Sequence, residues 1–143
     1  MTQKNHVIMN VSDKRFATRA KKVEKVLQAA LVILKKKNVS LEAHLLTDKE
    51  MKAINKTTRG KNEPTNVLSF EAGGFQRVGE NEAMYLGEIY LAPDTVTVRK
   101  ENIGFLAVHG LFHLLGYTHE EKRDTITMER AEDALLAKLA EHL

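Results

Sequence analysis

The run H-G-L-F-H-L-L-G-Y-T-H, residues 109–119, constrains this chain more than any other segment. His109 and His113 stand four apart, so on a helix both imidazoles project from one face, one turn above the other, and converge on a single ion. Gly116 falls where that helix is expected to stop. A glycine just past a helix end takes the left-handed conformation cheaply, and the turned chain returns His119 as a third ligand. From Ile103 to Leu115 the helix carries Phe105, Leu106, Val108, Leu111, Phe112 and Leu114, apolar nearly all round, which predicts burial. A buried histidine pair alone is equally well read as hydrogen-bonded core. Three buried imidazoles need partners, and one ion satisfies all of them. Three neutral imidazoles also leave a tetrahedral ion one open position, the mark of a catalytic rather than a structural zinc, where bound water ionises near neutral pH. The expected cofactor is one Zn2+ per chain on His109, His113 and His119.

The same frame occurs in the metzincin proteases, where the residue after the first histidine is a glutamate that acts as general base. Here that residue is Gly110. Glycine accepts no proton, so the frame keeps the metal without the protease chemistry.

At 143 residues the chain is read as one domain, 1–143, able to bury about two thirds of its unfolded surface. It has no cysteine, which excludes disulfides, thiolate zinc fingers and cysteine nucleophiles and fits a reducing compartment. No apolar run reaches membrane length, and M-T-Q-K-N-H lacks the apolar core of a signal peptide, so a cytoplasmic location and no membrane partner are expected. A net charge of +3 suits a polyanionic partner without arguing for one.

Periodicity sets out the rest. His6–Val11 reads as a first strand, followed by a helix with Val23, Val26, Leu27, Leu31 and Leu34 on one face. Lys35, Lys36 and Lys37 are expected to close it. A nucleic-acid patch is one reading of that triplet; the favoured one is a solvated helix end that complements the dipole. Leu41, Ala43 and Leu45 alternate with Glu42 and His44, a half-buried strand on which His44 faces outward and is not assigned to the metal. Thr47 and Glu50 form a capping box that opens a short helix with Met51 and Ile54 inside, and Arg59 lies just beyond it. After the turn residues Gly60 and Pro64, Thr65–Phe70 extends; Gly73, Gly74 and Gly79 mark a flexible excursion; Met84–Leu91 is another strand. Pro93, Asp94 and Thr95 begin a short helix, and Met128, Ala131, Leu135, Leu139 and His142 line a last one. Helices interleaved with four short strands describe an α+β layer fold, a sheet flanked by helices, whose strand order is not readable.

Two segments together resemble one family. R-G-K-N-E-P-T-N-V-L-S-F, residues 59–70, and the histidine run resemble the YbeY family of bacterial endoribonucleases, and L-G-E-I, residues 86–89, resembles that family's third block, usually written with Asp where Glu88 stands. The resemblance implies a small mixed sheet flanked by helices and a metal-dependent, single-strand-specific endoribonuclease. Its implied task is ribosomal RNA processing, notably small-subunit 3′-end maturation, together with ribosome quality control. It also implies zinc on His109, His113 and His119 and an essential arginine at Arg59. The implied partners are single-stranded ribosomal RNA, with ribosomal proteins or assembly factors presenting it, and no DNA. Three features depart from the family pattern. Thr118 replaces an Asp that would orient a ligand imidazole, the segment 93–102 is short, and Glu88 replaces Asp.

On this reading the metal polarises a phosphoryl oxygen or supplies hydroxide, and Arg59 offsets the charge that builds on phosphorus. Lys61 adds phosphate affinity or is plain surface; Ser69 and Thr65, alternating with Val67, line the groove or form a polar strand face. No general base is visible, so metal hydroxide and the RNA 2′-hydroxyl both remain as nucleophiles. Two alternatives stand beside this one. The first is a metal-dependent hydrolase of a non-RNA substrate, with Glu88 or Glu120 as its base. The second is a ribosome-assembly protein in which zinc is structural and RNA or protein binding, without catalysis, is the whole function.

Overall fold

Alternation at period two builds the centre of the molecule. In β2 (Val39–Leu45), Val39, Leu41, Ala43 and Leu45 are buried, while Ser40, Glu42 and His44 face the other way. The structure is a computed structural model that describes residues 4–73 and 83–142. In it β2 pairs in parallel with β1 (His6–Val11) on one side and β4 (Met84–Leu91) on the other, and β3 (Val67–Glu71) joins β4 antiparallel. The order β1-β2-β4-β3 makes a mixed four-stranded sheet.

One face of this sheet carries the main core. α1 (Ala17–Ile33) and α4 (Ile103–Leu114) lie on it and against each other, and α5 (Lys122–His142) packs on both helices. Phe16, Leu27 and Leu31 meet Leu41, Leu45 and Ile89 from the sheet, Leu111 and Phe112 from α4, and Met128 and Leu135 from α5. The opposite face has a smaller cluster. There α2 (Asp48–Arg59) buries Met51 against Leu68 and Ala92, with Ile54, Phe70 and Tyr90 at its edge. α2 begins at the expected capping box, in which Glu50 N–H donates to Thr47 Oγ1 (3.3 Å) and Thr47 N–H donates to Glu50 Oε1 (3.1 Å). The short helix α3 (Pro93–Val98) has its proline in the first turn, where a missing N–H costs no hydrogen bond.

β4 contains a bulge. Ser40 pairs with Tyr85 but Glu42 pairs with Glu88, so three steps along β4 match two along β2. Gly87 permits this. Its φ is +132°, and a Cβ there would sit 2.2 Å from the Phe70 carbonyl oxygen, so no other residue fits without moving the backbone. Because of the extra residue, Glu88 shares a face with Glu42 instead of entering the core.

Four expectations need correction. α1 ends at Ile33, and Lys35, Lys36 and Lys37 lie past it, so they do not form its last turn. Lys35 takes φ +59°, and the helix closes by Lys35 N–H to Val32 O (3.0 Å) and Lys36 N–H to Leu31 O (2.9 Å), the two bonds of a Schellman motif. α2 runs through Arg59, since the left-handed Gly60 ends it, so Arg59 belongs to the last turn. Phe105 is 55% exposed, so α4 is not apolar-buried all round. His44 faces outward as the alternation predicts but is only 17% exposed, which is not an ordinary surface histidine. Gly74 and Gly79, and the side chain of His142, lie outside the described residues. Among the described residues no helix is long and apolar enough to cross a membrane.

A lysine held left-handed carries steric strain that glycine lacks. Lys35→Gly is therefore expected to stabilise the fold by about 0.5–1 kcal/mol in a denaturant titration; destabilisation would show that the Lys35 side chain contributes more than its backbone costs.

Candidate metal centre

α4 is capped by Asn102, whose Oδ1 accepts from Phe105 N–H (3.1 Å), and it lies directly on β4 at Gly110. A Cβ at Gly110 would be 2.9 Å from Ile89 Cγ2, inside van der Waals contact, and Ile89 is fully buried. The position after His109 is therefore the contact between helix and sheet and has no room for a side chain. A side chain there would have to displace Ile89, so the glycine that supplies no base is also the residue this contact favours.

The helix stops where the sequence predicts. Gly116, at φ +101°, reverses the chain. Tyr117 N–H then donates to Phe112 O (3.0 Å), and the Tyr117 ring packs edge-on to Phe112 with centroids 5.0 Å apart. This turn brings His119 back over α4. His109 Nε2 lies 3.1 Å from His113 Nε2 and 3.4 Å from His119 Nε2.

Two of the rings are held from behind. The Glu132 carboxylate on α5 accepts from His109 Nδ1 (3.2 and 3.4 Å), and the Tyr117 carbonyl accepts from His113 Nδ1 (2.9 Å). Each bond places the ring hydrogen on Nδ1 and leaves a lone pair on Nε2. Two such lone pairs 3.1 Å apart repel unless a cation lies between them. A tetrahedral zinc, about 2.0–2.1 Å from each ligand nitrogen, holds such nitrogens roughly 3.3 Å apart. The three imidazoles thus fit a metal in position and donor type, and His109 and His113 also in tautomer. Burial also pushes the His113 pKa below its ordinary value, opposed by the Tyr117 carbonyl, which favours the neutral ring a metal requires. Among the described residues His119 Nδ1 has no hydrogen-bond partner, and Thr118 supplies none.

The histidines line a cleft of about 680 Å³. Val67, Ser69 and Glu71 alternate on the β3 face towards α4, and Ser69 pairs in register with Ile89 beneath Gly110. Thr65, Ser69, Glu71 and Glu120 all line the cleft, as does Arg59 from the end of α2. Lys61 is exposed and is not among the lining residues. Glu88 lies across the sheet from α4, outside the cleft. Beside Arg59, Asn55 is 2% exposed and its Nδ2 donates to Glu63 O (2.8 Å), which ties the following loop to α2.

The family model for endoribonuclease YbeY matches residues 3–140. The chain belongs to the YbeY endoribonuclease family. Among YbeY relatives, the endoribonuclease YbeY of Bartonella henselae is 40% identical over 127 residues, covering 82% of this chain and 80% of that one. That of Aquifex aeolicus is 33% identical over 154 aligned positions, covering 99% and 96%. The fold is also similar to the solution structure of TM1509 from Thermotoga maritima, with a TM-score of 0.55 and 19% identity over 95% of this chain and 93% of that one.

Within this YbeY fold, Glu132 is the site residue that the sequence reading missed. It stands four after Met128 and three before Leu135, both buried, so a carboxylate occupies the apolar stripe of α5. That mismatch was its signal. Glu71 had none, because it is one more polar residue at a strand end.

Outer-shell carboxylates of this kind typically contribute 10- to 100-fold in metal affinity. Glu132→Gln is expected to weaken zinc binding by about that factor in a competition titration, with circular dichroism unchanged; unaltered affinity would mean that Glu132 does not orient His109. At the helix contact, Gly110→Val should lower stability by about 2–3 kcal/mol through overpacking against Ile89, and a neutral result would contradict the close approach.

Proposed function

We propose that this chain is a zinc-dependent, single-strand-specific endoribonuclease that processes ribosomal RNA as one domain spanning residues 1–143. The observation that carries this reading is the convergence of three imidazole nitrogens in a cleft that Arg59 also lines. His109, His113 and His119 hold one zinc, and Arg59 is the catalytic arginine. Zinc bound there supplies a Lewis acid towards a phosphoryl oxygen and acidifies a bound water. Arg59 presents a planar fork that matches phosphate geometry and stays charged at any working pH, so it binds the scissile phosphate and offsets its growing charge. Among the described residues it forms no ion pair that would compete for this role. Ser69 and Thr65 donate from the β3 side of the cleft to RNA oxygens. Lys61, outside the cleft, adds affinity for a neighbouring backbone phosphate.

The substrate is single-stranded ribosomal RNA in the cytoplasm, including the 3′ end of the small-subunit RNA. The same cleavage serves ribosome quality control, with ribosomal proteins or assembly factors presenting the strand; membership of the YbeY family supports this part. A non-RNA hydrolase reading loses two of its possible bases, since position 110 is a glycine packed on Ile89 and Glu88 lies outside the cleft, and rests on Glu120, which does line it.

The test measures metal content and RNA cleavage on the same preparations of wild type, His113→Ala and Arg59→Ala. The expected result is stoichiometric zinc in wild type and Arg59→Ala, loss of zinc in His113→Ala, and cleavage reduced at least about 100-fold in both variants. The ends of the products identify the nucleophile, since a 2′,3′-cyclic phosphate reports attack by the RNA itself. Cleavage that survives both substitutions would overturn the enzymatic reading in favour of a ribosome-assembly role.

A further inference from the structure

On the sheet face turned away from α4, Glu42 and His44 of β2 meet Glu88 of β4. The Gly87 bulge brings them together by placing Glu88 directly across from Glu42. Two carboxylates paired across neighbouring strands repel each other. Among the described residues no lysine or arginine forms an ion pair with either one. Between them stands one imidazole, with His44 Nε2 3.2 Å from Glu42 Oε2 and 3.2 Å from Glu88 Oε2. That nitrogen is buried and makes no hydrogen bond of acceptable geometry with either carboxylate or with any other group.

The surroundings fix these three donors in place. The Tyr90 ring stacks on His44, with centroids 4.6 Å apart and planes 15° from parallel, and the Tyr90 hydroxyl donates to Glu88 Oε2. Burial, and then the neighbouring Glu42 and Glu88, push the Tyr85 phenol up to about 12, so it stays protonated beside Glu42. The Asn10 side-chain amide reaches His44 Nδ1 at 3.4 Å. The atom facing the ring is Asn10 Nδ2, which donates to Nδ1 and leaves the ring hydrogen on Nε2 between the two carboxylates, where an incoming ion displaces it.

We propose that Glu42, His44 and Glu88 form a second divalent-metal site, distinct from the three-histidine centre, that takes a first-row transition ion through one imidazole nitrogen and two carboxylate oxygens. Their donor atoms all lie within 4.8 Å of one another, the spacing of ligands around one ion. One nitrogen with two hard oxygens suits Zn2+, Mn2+ or Fe2+ more than Ca2+ or Mg2+, which prefer all-oxygen shells. Both carboxylates are about one third exposed, at 34% and 35%, so the ion enters from solvent. Once bound, it replaces the repulsion between β2 and β4 with a bridge. The metal-free competitor is an imidazolium shared by the two carboxylates, and it predicts no second ion.

The experiment is calorimetric titration of the metal-stripped full chain with Zn2+, together with imidazole nitrogen NMR of its histidines. Wild type should bind two equivalents. Glu88→Gln and His44→Gln should each bind one, with the three-histidine centre still filled, and His113→Ala should retain the other. In wild type the His44 Nε2 resonance should move to a metal-bound shift that Glu88→Gln abolishes. Glu42→Gln provides a third variant should one of the others fold poorly. A single equivalent in wild type, or two in Glu88→Gln, would overturn the proposal, as would a His44 resonance that titrates with pH but does not respond to Zn2+.

Discussion

The contact between Gly110 and Ile89 is the one on which the rest of the site depends. It lets α4 lie against the sheet with no side chain between them, and it sets the height at which His109 and His113 emerge beside the inward residues of β3. A larger residue would lift the helix and with it both imidazoles. The same absence of a side chain removes the position a protease base would take. One steric requirement therefore both seats the histidine cluster and narrows the chemistry it can support.

From that seat the structure is a set of orientations. The Gly116 turn delivers His119; the Tyr117 carbonyl, freed by the same turn, fixes the tautomer of His113; and Glu132 fixes that of His109 from a helix 23 residues away. Arg59 arrives from the far side of the cleft at the end of α2, whose start is fixed by a capping box and whose exit loop is held by Asn55. The sheet separates two environments, with imidazoles and a cleft on one face and two carboxylates around one imidazole on the other.

Much of this was legible in the residues, for local reasons. The four-residue spacing of His109 and His113, the glycine that ends their helix, the alternation in β2 and the Thr47–Glu50 cap are each written within a few positions, and each appears as expected. What escaped was non-local. Strand order depends on which hydrophobic faces meet. The bulge at Gly87 depends on the Phe70 carbonyl of another strand, and the location of Glu88 follows from that bulge. The three lysines after α1 were misassigned because a left-handed non-glycine residue ends that helix one turn earlier than composition implies. For the site itself, the histidine cluster was readable. The carboxylate behind it was readable only as a misfit in an apolar stripe, and His44 looked like surface because one of its two partners, Glu88, is brought to it from another strand by a bulge.

The hydrogen bond between Glu132 and His109 joins α5 to the histidine cluster. Linkage is reciprocal: every factor by which docked α5 tightens metal binding is the same factor by which bound metal tightens the docking of α5. A metal held by the three histidines would therefore latch α5 onto the rest of the domain.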